Sequence, residues 1–231
     1  MWKPGTSRSR HQSGSIGVVK SLETDRLFLR QWKPEDAGFV LDLYSRWEVQ
    51  RFIGNHPQVM RDRSQADERI RAWQQMDNPV HGVWAVQLKE QLQGQAGLRG
   101  HGTGGGPNRG TEQDLPAPLA GTLLLKSIPA SGDDLPLEPS GDTEIGWHFH
   151  PDYWGHGYAT EAAAAVLSYA FASGLEKVVA VTAPANKASQ SVCLRIGMRH
   201  CGQTRRYYNA LCELFEAKAP AHAKDHAEAG T

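Results

Sequence analysis

The chain has 231 residues, a formal net charge of +0 and 39% hydrophobic residues. That length suits one α/β domain with tails, large enough to bury a core without disulfide or metal staples. Balanced charge removes the electrostatic ground for a nucleic-acid partner, and no apolar run approaches the roughly 18 residues of a membrane span.

The cysteines Cys193, Cys201 and Cys212 are odd in number and form no CxxC pair. This argues against a disulfide framework or structural zinc and for a cytoplasmic setting. Residues 1–20 are basic, rich in Ser and Gly, and lack the apolar stretch of a signal peptide. They and residues 217–231 read as disordered tails with little to bury.

Between them, residues 26–31 alternate, with Leu27 and Leu29 on one face of a strand. Pro34 stands at a first helical position. Ala37, Val40, Tyr44 and Trp47 follow at helical spacing, which predicts a helix of about three turns. Ser64, as N-cap with Asp67 three residues on, opens a second helix whose buried face holds Ile70 and Trp73. Residues 83–88 and 119–126 read as strands flanking the Gly-rich stretch 94–118, a long inserted loop. Residues 127–141 form a second polar loop, and 143–150 another strand. Residues 160–173 form a helix with Ala163, Val166, Leu167 and Ala170 inward. Residues 177–182 are a strand, 189–196 a helix stopped by Gly197, and 211–215 a last strand. Trp47, Trp73 and Trp84 read as core, and Trp32 as core or groove lining. A run of strands followed by strands alternating with helices predicts an α/β (α+β) domain, a mixed sheet covered by helices.

The chemistry concentrates at 144–161, EIGWHFHPDYWGHGYATE. A strand enters a tight loop with Gly155 and Gly157, and an Ala-rich helix starts at once. Backbone N–H groups at a helix start have no internal partner and sit at its positive end, which makes an anion site. The glycines and small Ala159 let the backbone approach a pyrophosphate closely. The dinucleotide fingerprint would need a third glycine where Thr160 stands, and the P-loop would need G-K-[ST], which is absent. A protein that binds a nucleotide through this loop stays open at this point. His148, His150 and His156 have no third ligand at a recognisable spacing, so no metal is expected.

The loop Trp154–Glu161 resembles the acetyl-CoA loop of the GNAT superfamily of N-acetyltransferases. The pattern [QR]-x-x-G-x-[GA] maps onto Trp154, Gly157 and Ala159, with Trp154 in place of Gln or Arg. The form W-G-x-G-Y-A-T-E-A is typical of the ribosomal-protein (RimJ/RimL-like) branch. Residues 22–30 (LETDRLFLR), 143–147 (TEIGW), 184–189 (PANKAS) and 196–198 (IGM) resemble further segments of that branch, in the same order.

The resemblance implies a GNAT domain over 21–216 carrying the insertion 94–118. Its central mixed, mostly antiparallel sheet would have six to seven strands, flanked by about four helices. It implies a cytoplasmic N-acetyltransferase that moves the acetyl group of acetyl-CoA to a primary amine in a ternary complex. No metal, nucleic acid or membrane is expected to take part, and the expected state is a monomer or homodimer. The amides of Trp154, Gly155, His156, Gly157, Tyr158, Ala159 and Thr160 would hold the pyrophosphate. Trp147, His148 and Phe149 would pair with the pantetheine arm, as would Asn186, and Ser189 belongs to the same set. Glu144 would be the general base; the alternatives are a carboxylate held in a structural pair, or a proton relayed by water with no essential residue. The family's usual acid, a Tyr seven residues after the Asn, is here Cys193, and Ser189 would serve instead. Trp32, Tyr207 and Tyr208 would shape the acceptor pocket. Acceptors in the branch include protein N-termini, amino acids, polyamines and aminoglycosides. The missing Tyr and Trp154 leave one alternative, a non-catalytic acyl-CoA sensor of the same fold.

Overall fold

The computed structural model describes residues 19–89 and 117–220. The two expected tails and the inserted loop 94–118 lie almost wholly outside these residues. β1 (Leu22–Glu23) pairs with β2 (Leu27–Gln31), whose Leu27 and Leu29 are fully buried. The chain then makes a 3-10 turn, Pro34–Asp36. Asp36 fixes it, taking two bonds from the Arg30 guanidinium (2.7 and 2.9 Å) and one from the Lys33 N–H (2.8 Å). Pro34 therefore opens this turn, and the α-helix α1 starts later (Ala37–Ser45).

α1 buries Ala37, Val40, Leu43 and Tyr44, but its periodicity does not reach Trp47. Arg46 is extended (φ −83°, ψ 119°), and the helix restarts as α2 (Trp47–Gln50) off the α1 register. Trp47 is consequently 55% exposed, not core. α3 (Arg63–Gln74) is capped by Asp62 and not by Ser64. The Asp62 carboxylate accepts from Gln65 N–H (3.1 Å) and from the Ser64 hydroxyl (2.6 Å), satisfying an orphan donor of the first turn.

The remaining elements are β3 (Gly82–Leu88), β4 (Leu119–Pro129), β5 (Pro139–Phe149), α4 (Tyr158–Ala172), β6 (Lys177–Thr182), α5 (Lys187–Arg195), β7 (Arg199–Thr204) and β8 (Cys212–Lys218). The expected loop 127–141 is shorter, because β4 and β5 both run into it. β8 extends past the expected domain end at 216. The sheet order is β1-β2-β3-β4-β5-β6-β8-β7, antiparallel throughout except for β5 beside β6. Among the described residues this mixed sheet has eight strands with five α-helices, slightly more than expected. β7, an edge strand of sequence RHCGQT, is exposed or half-exposed along its length and shows no apolar alternation to read.

Each face of the sheet carries a core. On one, Leu29, Val86, Leu123, Ile145 and Phe149 meet Ala162, Val166 and Ala170 of α4. On the other, Val83 and Ala85 meet Trp32, Leu43, Tyr44 and Ile70 of the α1–α3 layer. No helix among the described residues is long and apolar enough to cross a membrane.

Gly121 of β4 lies close against β5, where an added Cβ would strike the His148 carbonyl oxygen and the Phe149 ring. Gly121→Ala is expected to cost about 1–3 kcal/mol, the range for overpacking. Thermal unfolding checks this; an unchanged midpoint would show that the two strands separate freely.

Candidate active site

β5 is held by β4 from Phe149 back to Thr143, and β6 is held by β8 along its whole length. Between β5 and β6 there is one register pair, Glu144 with Val179. Beyond it the strands diverge and leave a cleft of about 1110 Å3. The His150 N–H donates to the Ala120 carbonyl (2.9 Å). Alternation along an antiparallel ladder then turns the backbone groups of Trp147 and Phe149 to the opposite edge, into the opening. The Phe149 carbonyl is taken by the Trp154 indole N–H (2.7 Å). On the facing side, the Thr182 hydroxyl is buried, lines the cleft and has no partner among the described residues.

The mouth is the turn between β5 and α4. A 3-10 turn, Pro151–Tyr153, follows His150, and Gly155 and Gly157 both adopt left-handed backbone (φ 78° and 79°). Gly157 is the N-cap of α4 and offers no side chain to cap it. The first amides of the helix therefore remain available to an anion. Arg26, the residue before β2, braces this turn. Its Nη1 donates to the His156 carbonyl (2.9 Å), its Nε to Glu161 (2.6 Å), and its guanidinium lies 4.7 Å over the Tyr158 ring. Burial pushes the Glu161 carboxyl up, but bonds from Thr24 and Arg26 outweigh it and hold the group below its ordinary pKa.

The apex holds Glu144, which is 7% exposed. Its Oε1 receives the Tyr208 hydroxyl and lies 3.1 Å from Lys126 Nζ, which itself donates to Tyr208 Oη (3.1 Å). Desolvation, then the Glu144 charge, pushes the Tyr208 phenol far above its usual pKa, so it stays a donor. Tyr208 and Asn209 sit in the left-handed region (φ 58° and 54°), a costly place for side-chain-bearing residues. The turn is clamped there. Asn209 exchanges two bonds with the Gly132 backbone (2.9 Å each), and Tyr207 bridges Ala130.

Glu144, Gly146 and His148 share one face of β5, under α1 and α3. His148 Nδ1 is 2.9 Å from the Tyr44 hydroxyl, which also bonds Thr122 (3.2 Å). Desolvation first, then the charges of Arg69 and Lys126, lower the His148 pKa to about 3. Burial raises Tyr44 to about 12. Both groups are thus neutral through the physiological range.

The cleft gathers Glu144, Trp147, His148, Phe149, Trp154, Gly155, Gly157, Tyr158, Ala159, Thr160, Asn186, Ser189 and Tyr208. Three residues of the sequence reading lie elsewhere. Trp32 is 1% exposed, packed on Phe39 and Trp73 in the core beneath α1, and cannot line a groove. Tyr207 is 1% exposed and spends its hydroxyl on Asp142 (2.6 Å). His156 stacks on the Tyr158 ring outside the cleft lining. His148 sends its side chain toward Tyr44. Asn186 caps α5, its carbonyl oxygen accepting from Ser189 N–H (3.2 Å), with no partner described for its amide nitrogen. Cys193 is fully buried core, its thiol pushed up to about 12 by burial. Sequence reasoning missed Lys126, Arg26, Arg69 and the polar role of Tyr44. Only the strand register, which sets Lys126 opposite Glu144, reveals the first of these. Among the described residues no group of three or more His, Cys, Asp or Glu is placed to hold a metal.

Residues 26–199 match the family model of the acetyltransferase (GNAT) domain. The chain is 43% identical over 215 residues to the uncharacterized protein YkkB of Bacillus subtilis (strain 168), covering 88% of this chain and 99% of that one. It is 27% identical over 188 residues to the uncharacterized N-acetyltransferase YoaA of the same organism, covering 80% and 86%. Among solved structures, the ribosomal L7/L12 α-N-protein acetyltransferase RimL in complex with coenzyme A shares the fold, with a TM-score of 0.60 at 12% identity over 86% of this chain and 98% of that one.

The depressed pKa of His148 carries a stability consequence. Its folded value of about 3 lies below the unfolded value near 6.5, so its contribution is complete above pH 6.5 and is lost as pH falls toward 3. His148→Gln is therefore expected to flatten the decline of melting temperature between pH 6.5 and pH 4. An equally steep decline in the variant would show that His148 does not titrate in this window.

Proposed function

We propose that this chain, which belongs to the acetyltransferase (GNAT) family, moves the acetyl group of acetyl-CoA to a primary amine by direct attack in a ternary complex. The observation that carries this reading is the wedge between β5 and β6, with an anion-binding turn at its mouth and a buried carboxylate at its apex.

The residues present suit the cosubstrate. The free amides at the start of α4, from Tyr158 to Thr160, with the left-handed turn before them, would hold the pyrophosphate. The outward backbone edge at Trp147 and Phe149 would add the pantetheine arm as an extra strand, against the unsatisfied Thr182 hydroxyl and the Asn186 amide nitrogen on the other side. An N–H on that same edge would stabilise the oxygen of the tetrahedral intermediate as charge develops. Trp154, which replaces the family's Gln or Arg, ties its indole to the Phe149 carbonyl and spends its own N–H on the Pro151 carbonyl (3.0 Å), so that it leaves the expected pyrophosphate set while the amides of Tyr158, Ala159 and Thr160 stay open. Its presence therefore gives the sensor alternative no support.

A primary amine is mostly protonated at neutral pH and must lose a proton before or during attack. Glu144 takes it, directly or through one water. Tyr208 and Lys126 engage Oε1, which leaves Oε2 without a partner among the described residues and with its lone pairs able to accept the proton. The amine nitrogen bonds the thioester carbon, the C–S bond breaks, and the thiolate is reprotonated, a role the family resemblance gives to Ser189, which lines the cleft. No acetyl-enzyme is required, since the fully buried Cys193 is held protonated. The three free cysteines accord with a cytoplasmic setting.

Acetyl-CoA at a hundredfold excess over its dissociation constant should stabilise the protein by ~2.7 kcal/mol in a thermal shift, where NAD and ATP should give none. Gly157→Val forces a branched side chain into φ 79° and should abolish that shift while the fold persists; an undiminished shift removes the loop from the site. Glu144→Gln should keep the acetyl-CoA shift and lower kcat roughly 10²–10⁴-fold. An unaltered kcat would make Glu144 a structural residue.

A further inference from the structure

The side of the cleft walled by α1, α2 and α3 is where an acceptor must enter, since the other side is the cosubstrate's. It carries three cations, Arg51, Arg69 and Lys126, against two carboxylates, Glu48 and Glu144. Lys126 is taken by Glu144 (3.1 Å). Glu48 and Arg51 are exposed on the rim, where opposite charges in water are worth little to a ligand. Arg69 differs from both. It is half-buried on α3, its guanidinium lies 4.8 Å over the Tyr44 ring, and among the described residues no carboxylate pairs with it.

A guanidinium is charged at every working pH and matches a carboxylate with two parallel donors. Held half out of water without an anion, it is a vacancy that substrate charge can fill. Its surroundings reinforce this. His148 and Tyr44, beside it, are hydrogen-bonded to each other and carry no negative charge to offset it. The single carboxylate within, Glu144, is already engaged by Lys126 and Tyr208. A cationic acceptor tail would thus meet Arg69 with nothing to pair it.

The floor sets a distance. Glu144 and His148 lie on the same face of β5, four residues apart and so roughly 13 Å along the strand. Gly146 between them leaves that floor without a side chain. An acceptor lying along it spans from the base at one end to Arg69 and Tyr44 at the other. We propose that Arg69 is a specificity-determining residue that binds a carboxylate of the acceptor, and that the acceptor is a primary amine carrying that carboxylate several bonds from the nitrogen. This rests on the acetyltransfer reading above, and it disfavours polyamines and aminoglycosides. An acidic side chain beside the free amine of a peptide and a free acidic amino acid share this chemistry.

The test measures kcat/KM with acetyl-CoA for Glu-Ala-Ala amide, Gln-Ala-Ala amide, Lys-Ala-Ala amide, free glutamate, free glutamine and spermidine. It uses the full chain and its Arg69→Ala and Arg69→Glu variants, each first checked for an acetyl-CoA thermal shift. The acidic member of a pair should exceed its amide counterpart roughly 10–100-fold in the wild type, the size expected of one charge-assisted pair. Selectivity in the peptide pair assigns a peptide N-terminus, and selectivity in the amino-acid pair assigns the free amino acid. Arg69→Ala should erase the selectivity, bringing kcat/KM for each acidic compound down to that of its amide counterpart, and Arg69→Glu should favour the lysine peptide. Preference of the wild type for spermidine or the lysine peptide overturns the proposal. So does an equal loss for all acceptors in Arg69→Ala, which marks a structural residue. Acetyl-CoA binding with transfer to none of the carboxylate amines overturns the acceptor assignment alone, whereas no acetyl-CoA shift in the wild type overturns the reading beneath it as well.

Discussion

One register pair between β5 and β6 sets the architecture of the site. A parallel pair normally continues as far as both strands run. Here each strand is already satisfied by its other neighbour, β5 by β4 and β6 by β8. The sheet therefore loses little by parting, and the backbone groups exposed along the wedge become a template for an extended ligand arm. The two cores, one on each face, stabilise the halves without filling the gap.

Charge is placed along this wedge by strand alternation. Glu144, Gly146 and His148 face one way, so a carboxylate, an empty position and a neutral imidazole follow each other along one face. Ile145 and Phe149 face the other way, into the apolar core under α4. Cross-strand register brings Lys126 to Glu144, and a turn with two residues in the left-handed region delivers Tyr208 to the same oxygen. Backbone strain of about 1–2 kcal/mol per residue persists there because Asn209, Ser131 and Gly132 over-determine the turn.

What the sequence could announce was local. The glycine turn, the Ala-rich helix after it and the alternation of Leu27 and Leu29 are patterns within a few residues, and each stands where the reading put it. Wherever the outcome depended on partners far along the chain, the reading fell short. Trp32 and Tyr207 look like groove aromatics until the packing of α1 and the Asp142 carboxylate claim them. Trp47 keeps helical spacing with Tyr44, but one extended residue, Arg46, takes it off that face. Arg26 and Lys126 are ordinary surface-strand cations in the sequence, and only contacts across 135 residues or an antiparallel register give them work. β7 lacked any apolar signature, because an edge strand that stays in water needs none.

A wedge closed at one point is also a lever. If the two halves of the sheet rotate against each other, displacement grows with distance from the Glu144–Val179 pair, so the mouth at Trp154 and Thr182 sweeps the widest arc and the apex hardly moves. The carboxylate beside the fulcrum then keeps its alignment through the whole swing. Entry and exit of a long cosubstrate are thereby separated, by geometry alone, from the precision demanded where the bond is made.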